Sequence, residues 1–125
     1  MSIYNKRLFS KTKIISETEL KEKFNCKEFE YLSIVLLFGS RANGTHNIKS
    51  DYDFAFFTNN NVNIPWGIKS KVWNDIGDIL NLPDYDYDIV DLNDASKNIT
   101  NSIKENYILL KGDENELQRL FDSYS

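Results

Sequence analysis

Two apolar runs separated by a glycine–serine pair and a pair of carboxylates constrain this chain more than any other feature. From Leu36 to Phe57 the sequence reads LLFGSRANGTHNIKSDYDFAFF. The run Ile34 to Phe38 stops at Gly39-Ser40, a polar stretch rich in turn formers follows for ten residues, and Asp51 and Asp53 then open a second apolar run. A continuous apolar run fits a central strand buried on both faces, which is the reading for the first run. In the second, Asp53, Ala55 and Phe57 share one face of a strand and Tyr52, Phe54 and Phe56 the other. The end of the first strand and the start of the second thus flank a polar, turn-rich segment.

That layout suits phosphate and divalent cations. A glycine leaving a buried strand accepts backbone dihedrals that other residues resist and lets a ligand approach the main chain. The amides of Ser40 and Arg41 then head a turn, where such donors suit phosphate oxygens. The Ser40 hydroxyl adds a donor, and Arg41 offers a charged fork either for phosphate or for a carboxylate. Asp51 and Asp53, two apart on a strand, point to one face at a spacing of about 6–7 Å along the backbone. They can converge on one metal ion or bracket two, and two-metal sites hold their ions roughly 3.5–4 Å apart. Magnesium takes a few carboxylates together with substrate phosphates.

A third carboxylate would complete the set, and the segment from Asp84 to Asp91 supplies candidates. Asp84, Asp86 and Asp88 share one face by alternation, and Asp91 falls on the other. Asp88 stands between Tyr87 and the pair Ile89-Val90, which places its carboxylate centrally in the sheet, where metal binding would offset its burial. Asp84 and Asp86 lie nearer the strand entrance, where water can reach them.

The remaining pattern gives the frame. Ser16 and Glu19 form a capping box for a helix running to about Glu30. Tyr31–Phe38 and Tyr52–Thr58 are strands, with a loop or a single helical turn followed by loop between Arg41 and Ser50. Pro65 suits a first helical position, Trp66, Val72, Trp73, Ile76, Ile79 and Leu80 make an apolar helical face, and Pro83 ends that element. Tyr85–Leu92 is a third strand, Asn93 or Asp94 caps a helix to about Glu105, Asn106–Lys111 is a fourth strand ended by Gly112, and Asp113–Phe121 closes as a helix. The expected class is α+β: a mixed sheet of about four strands flanked by helices, in one domain over residues 1–125 with residues 1–15 as a loosely ordered extension.

Composition narrows the function classes. At 125 residues with 17 aromatics (Trp 2, Tyr 7, Phe 8), the chain can bury a real core. A net charge of −4 gives no basic footprint for nucleic acid. No apolar run approaches a membrane span or a signal-peptide core, so a soluble, cytoplasmic protein is expected. Cys26 is the single cysteine, which rules out an intramolecular disulfide; it has no nearby histidine to activate it. His46 reads as a loop residue, and Trp66 and Trp73 as core or partner-facing residues.

GSRANGTHNIKSDYDFAF resembles the motif of the polymerase-beta-like nucleotidyltransferases, a GS pair and a DxD pair with ten residues between, and YDIVDLNDA resembles their third-acid strand. The small size and the terminal NYILLKGDE are similar to the minimal nucleotidyltransferase (MNT) antitoxins, partners of HEPN-domain toxins in type VII-like pairs. The resemblance implies that Gly39, Ser40 and Arg41 bind the triphosphate of ATP. It further implies that Asp51 and Asp53 ligate two Mg²⁺ ions, and that Asp88 completes the metal site and helps activate the acceptor hydroxyl. The implied reaction transfers AMP to a tyrosine of the HEPN RNase toxin within a hetero-oligomer. Two alternatives stand beside it: a non-catalytic antitoxin acting by complex formation, and a nucleotidyltransferase acting on a small molecule.

Overall fold

The computed structural model describes residues 13–44, 51–59, 67–83 and 86–124, the side chains of Ser40, Asn43 and Tyr124 excepted. In chain order the elements are α1 (Glu17–Phe24), a 3-10 turn (Lys27–Phe29), β1 (Leu32–Phe38), α2 (Ser40–Asn43) and β2 (Tyr52–Thr58). They continue with α3 (Ile68–Leu80), β3 (Tyr87–Asp91), α4 (Lys97–Glu105), β4 (Tyr107–Lys111) and α5 (Glu114–Tyr124). The strands form one sheet in the order β3-β2-β1-β4. β1 pairs antiparallel with β2 and with β4, whereas β2 and β3 run parallel. A mixed sheet between helices is the α+β architecture that the pattern predicts.

The two apolar runs are the two interior strands, and both of their faces are packed. Val35, Leu37, Tyr52, Phe54 and Phe56 pack on one face against Leu20 and Phe24 of α1 and Val72, Ile76 and Leu80 of α3. Ile34, Leu36, Ala55 and Phe57 pack on the other against Ile103 of α4 and Leu117 and Phe121 of α5. Each such fully buried large apolar side chain contributes about 1.5–3 kcal/mol. The site residues are therefore held by strands that cannot shift without exposing both cores.

Element ends follow local chemistry, in places differently from the pattern. Ser16 caps α1, its hydroxyl accepting from the Glu19 N–H at 3.1 Å, but the helix stops at Phe24 and the chain continues into the 3-10 turn. α3 starts at Ile68 behind Gly67 (φ 100), and Pro65 and Trp66 lie outside the described residues. α4 is capped by Ser96, not by Asn93 or Asp94. Asn93 is committed elsewhere: its Oδ1 accepts from the N–H and hydroxyl of Thr58, and its own N–H donates to Asp91 Oδ1. Asp94 closes a turn onto the Asp91 carbonyl. Gly112 (φ 106) ends β4 where a Cβ would stand 2.6 Å from the Ser33 carbonyl oxygen.

Residues 13–15, expected to belong to a loose extension, are docked. Ile15 is buried, its N–H donates to the Tyr52 hydroxyl, and the Lys13 ammonium donates to the Leu80 carbonyl.

Candidate active site

Sheet register assembles the site. Asp53 of β2 lies directly opposite Asp88 of β3 in the parallel pair, and opposite Phe38 of β1 in the antiparallel pair. Paired residues share a face, so the two carboxylates stand side by side on the face that carries Ala55 and Phe57, at the end where β1 stops. Parallel neighbours separated by a long crossover can place two acids in this way, which no spacing within one strand could do.

Gly39 ends β1 beside them, at φ 75 and ψ −156. A Cβ at this position would sit 2.5 Å from Asp53 Oδ2. The glycine therefore serves two ends: it turns the chain into α2, and it leaves the space that the Asp53 carboxylate occupies. The expectation was backbone freedom for a ligand; the close approach to Asp53 is an addition that only the structure reveals. The backbone of Ser40 and Arg41 begins α2, whose first bond runs from the Ala42 N–H to the Gly39 carbonyl at 3.0 Å.

Electrostatics single out Asp53. Its pKa is raised, first by burial, then by Asp88, then by Asp51. Asp53 therefore lies close enough to both Asp88 and Asp51 to feel their charge. Asp51, just ahead of β2, is exposed, and so is Asp88, one oxygen of which accepts from the Ile89 N–H at 2.8 Å. The exposure of Asp88 corrects the expectation of a carboxylate buried at the centre of the sheet. β3 is an edge strand in the order β3-β2-β1-β4, with no strand paired on its outer side among the described residues. The converse holds for Asp86, which was expected to be solvated but is buried, its carbonyl accepting from the Tyr52 N–H at 2.9 Å. Asp91 lies on the opposite face, as alternation requires, half-buried with its pKa raised mainly by that burial.

Among the described residues, no three His, Cys, Asp or Glu side chains converge closely enough to hold a metal ion by themselves. The donor set nevertheless fits magnesium, which is bound through one or two carboxylates with substrate phosphates and water completing the shell. Two facing carboxylates, one of them half-buried and made costly by its neighbours, gain most from a cation. The Arg41 guanidinium lies over the Tyr52 ring, 4.5 Å from its centroid. His46, Ser50 and Asp84 lie outside the described residues.

Comparison with known proteins decides the family. A family model described as polymerase beta, nucleotidyltransferase, matches residues 9–116. The chain belongs to the polymerase-beta nucleotidyltransferase family. Solved structures of this fold include a toxin–antitoxin with AMP-PNP, at TM-score 0.66 and 20% identity over 88% of this chain and 84% of that one. A tri-AMPylated Shewanella oneidensis HEPN toxin in complex with an MNT antitoxin matches at TM-score 0.60 and 17% identity, over 87% and 83%. The toxin–antitoxin MntA-HepT matches at TM-score 0.57 and 18% identity, over 86% and 80%. At such identities the likeness establishes the fold, and the family match establishes the enzyme class. No curated protein matches the sequence. Among the described residues no helix is long and apolar enough to cross a membrane.

The aromatic residue between the two motif acids, Tyr52, carries contacts that sequence reasoning missed. The available signal was its alternation: a large side chain on the core face between two acids of a polar edge.

Proposed function

We propose that this nucleotidyltransferase is a cytoplasmic MNT antitoxin that transfers AMP from ATP to a tyrosine hydroxyl of a HEPN-domain RNase toxin, and so neutralises it. The observation that carries the reading is the in-register pair Asp53–Asp88 beside Gly39, in a chain that matches the nucleotidyltransferase family over residues 9–116. The partner class is supported by the similar complexes: one holds AMP-PNP, and another contains a tri-AMPylated HEPN toxin. This chain spans more than four fifths of each of those two matched chains, 84% and 83%.

Two Mg²⁺ ions held by Asp51, Asp53 and Asp88 together with phosphate oxygens would neutralise the triphosphate and ease deprotonation of the acceptor hydroxyl. The rest of the work falls to the chain. Gly39 and the backbone amides of Ser40 and Arg41 receive the outer phosphates, a role that favours small residues and open main chain. Asp53, fixed in the interior strand β2, holds its carboxylate opposite Asp88, where the two together would hold a cation. Asp88, exposed on the edge strand, is where a bulky protein acceptor can bring its hydroxyl. The hydroxyl proton passes to the Asp88 carboxylate, and the oxygen attacks the α-phosphorus in line. The new P–O bond forms as the bond to the bridging oxygen breaks, and pyrophosphate leaves.

Coexpression of the toxin with native protein or with the D51N/D53N double variant tests the proposal. The native protein should neutralise the toxin in cells, and the double variant should bind it without neutralising it. Full neutralisation by the double variant would instead assign the antitoxin effect to complex formation alone.

A further inference from the structure

Tyr52 touches three segments, two of which carry site residues. Its ring is buried at 1% exposure and stacks on Phe54, with centroids 5.9 Å apart and planes at 2°. Its hydroxyl donates to the Lys13 carbonyl at 2.8 Å and accepts from the Ile15 N–H at 2.9 Å. The Arg41 guanidinium covers the ring at 4.5 Å, and the Tyr52 N–H donates to the carbonyl of Asp86, two residues before Asp88. One residue thus joins the docked N-terminal segment, the turn that follows Gly39, and the strand carrying the third acid. Its own neighbours in sequence are Asp51 and Asp53.

A buried phenol that both donates and accepts is fixed in direction as well as place. The main chain on either side of it inherits that constraint. The hydroxyl and the acids lie on opposite faces of β2, so any influence of the hydroxyl on the acids must pass through the strand itself.

We propose that Tyr52 is a positioning residue. Clasped by residues 13–15 and covered by Arg41, it fixes the entrance of β2, and with it the placement of Asp51 and Asp53 against Asp88 and against the turn after Gly39. Residues 13–15 are then part of the active-site scaffold. This inference rests on the reading of Asp51, Asp53 and Asp88 as the acids that hold the cation.

The test is calorimetric titration of Mg²⁺ into the full-length protein with AMP-PNP present, at a temperature where circular dichroism shows every variant folded. Tyr52→Phe keeps the ring and opens the clasp, and Ile15→Pro removes the N–H on its other side. Each should weaken Mg²⁺ binding about tenfold, as losing a group that orients a metal ligand does. The double variant should bind no worse than either single one, because both changes open the same clasp. Native Mg²⁺ affinity in Tyr52→Phe alongside a lowered melting temperature would reduce the clasp to a purely structural one and overturn the inference. Asp53→Asn is the separate control: if it binds Mg²⁺ normally, the assignment of the acids fails, and the positioning role fails with it.

Discussion

Replacing Asp53 by asparagine should stabilise the metal-free protein while destroying its activity. Asp53 faces Asp88 in register, so their backbones lie about 4.8 Å apart, one strand spacing. Two unit charges at that distance repel by roughly 0.9 kcal/mol in bulk water and roughly 3.5 kcal/mol at an effective dielectric of 20. Asp53 is half-exposed and Asp88 exposed, so the lower end applies, and relief of about 1 kcal/mol is expected on removing the charge. For a chain of this length that corresponds to a rise in melting temperature of about 3–5 °C. The sign follows from the raised pKa of Asp53, caused first by burial and then by Asp88 and Asp51. The folded state holds this proton more tightly than the unfolded state. The charge therefore destabilises the fold at pH values above the raised pKa. That penalty fades as pH falls through the raised value and is gone below the unfolded one. Thermal unfolding of native protein and D53N, followed by circular dichroism from pH 8 to pH 4 in EDTA, reads both effects. The difference should be largest at pH 8 and shrink on acidification. A D53N variant that melts at or below the native temperature at pH 8 would show that the Asp53 charge does not destabilise the fold.

Two further substitutions separate site from scaffold. G39A places a side chain at φ 75 with its Cβ 2.5 Å from Asp53 Oδ2. It should cost about 1–3 kcal/mol in urea unfolding and abolish adenylyl transfer together. S96A removes the cap of α4, whose hydroxyl accepts from the Ile99 N–H at 3.2 Å. It should cost about 1 kcal/mol in the same assay and leave transfer unchanged at temperatures where the protein is folded.

The parts legible in the sequence were those written locally. β2 from Tyr52 to Thr58 and the burial of β1 follow from continuous apolar runs, and the capping of α1 follows from Ser16 and Glu19. What escaped depended on pairing across the sheet. That Asp53 stands opposite Asp88 depends on the register of β2 and β3, with the whole of α3 between them in the chain. The exposure of Asp88 and the burial of Asp86 depend on how β3, a strand at one edge of the sheet, meets the rest of the fold, and alternating acids and aromatics such as DYDYD do not encode that. The cap of α4 was misplaced because Asn93 and Asp94 are good capping residues already engaged in a turn onto Asp91. The clasp on Tyr52 joins residues 37 and 39 apart, beyond any local pattern.

The proposed reaction is nucleotidyl transfer to a protein partner by Asp51, Asp53 and Asp88. The most direct measurement incubates the purified protein and a HEPN-domain toxin with Mg²⁺ and ATP labelled either on the α- or on the γ-phosphate, and follows the label on the toxin. The α-label should appear on the toxin and the γ-label should leave in pyrophosphate, with both signals absent for the D51N/D53N variant. Transfer of the γ-label, or undiminished transfer of the α-label by that variant, would contradict it.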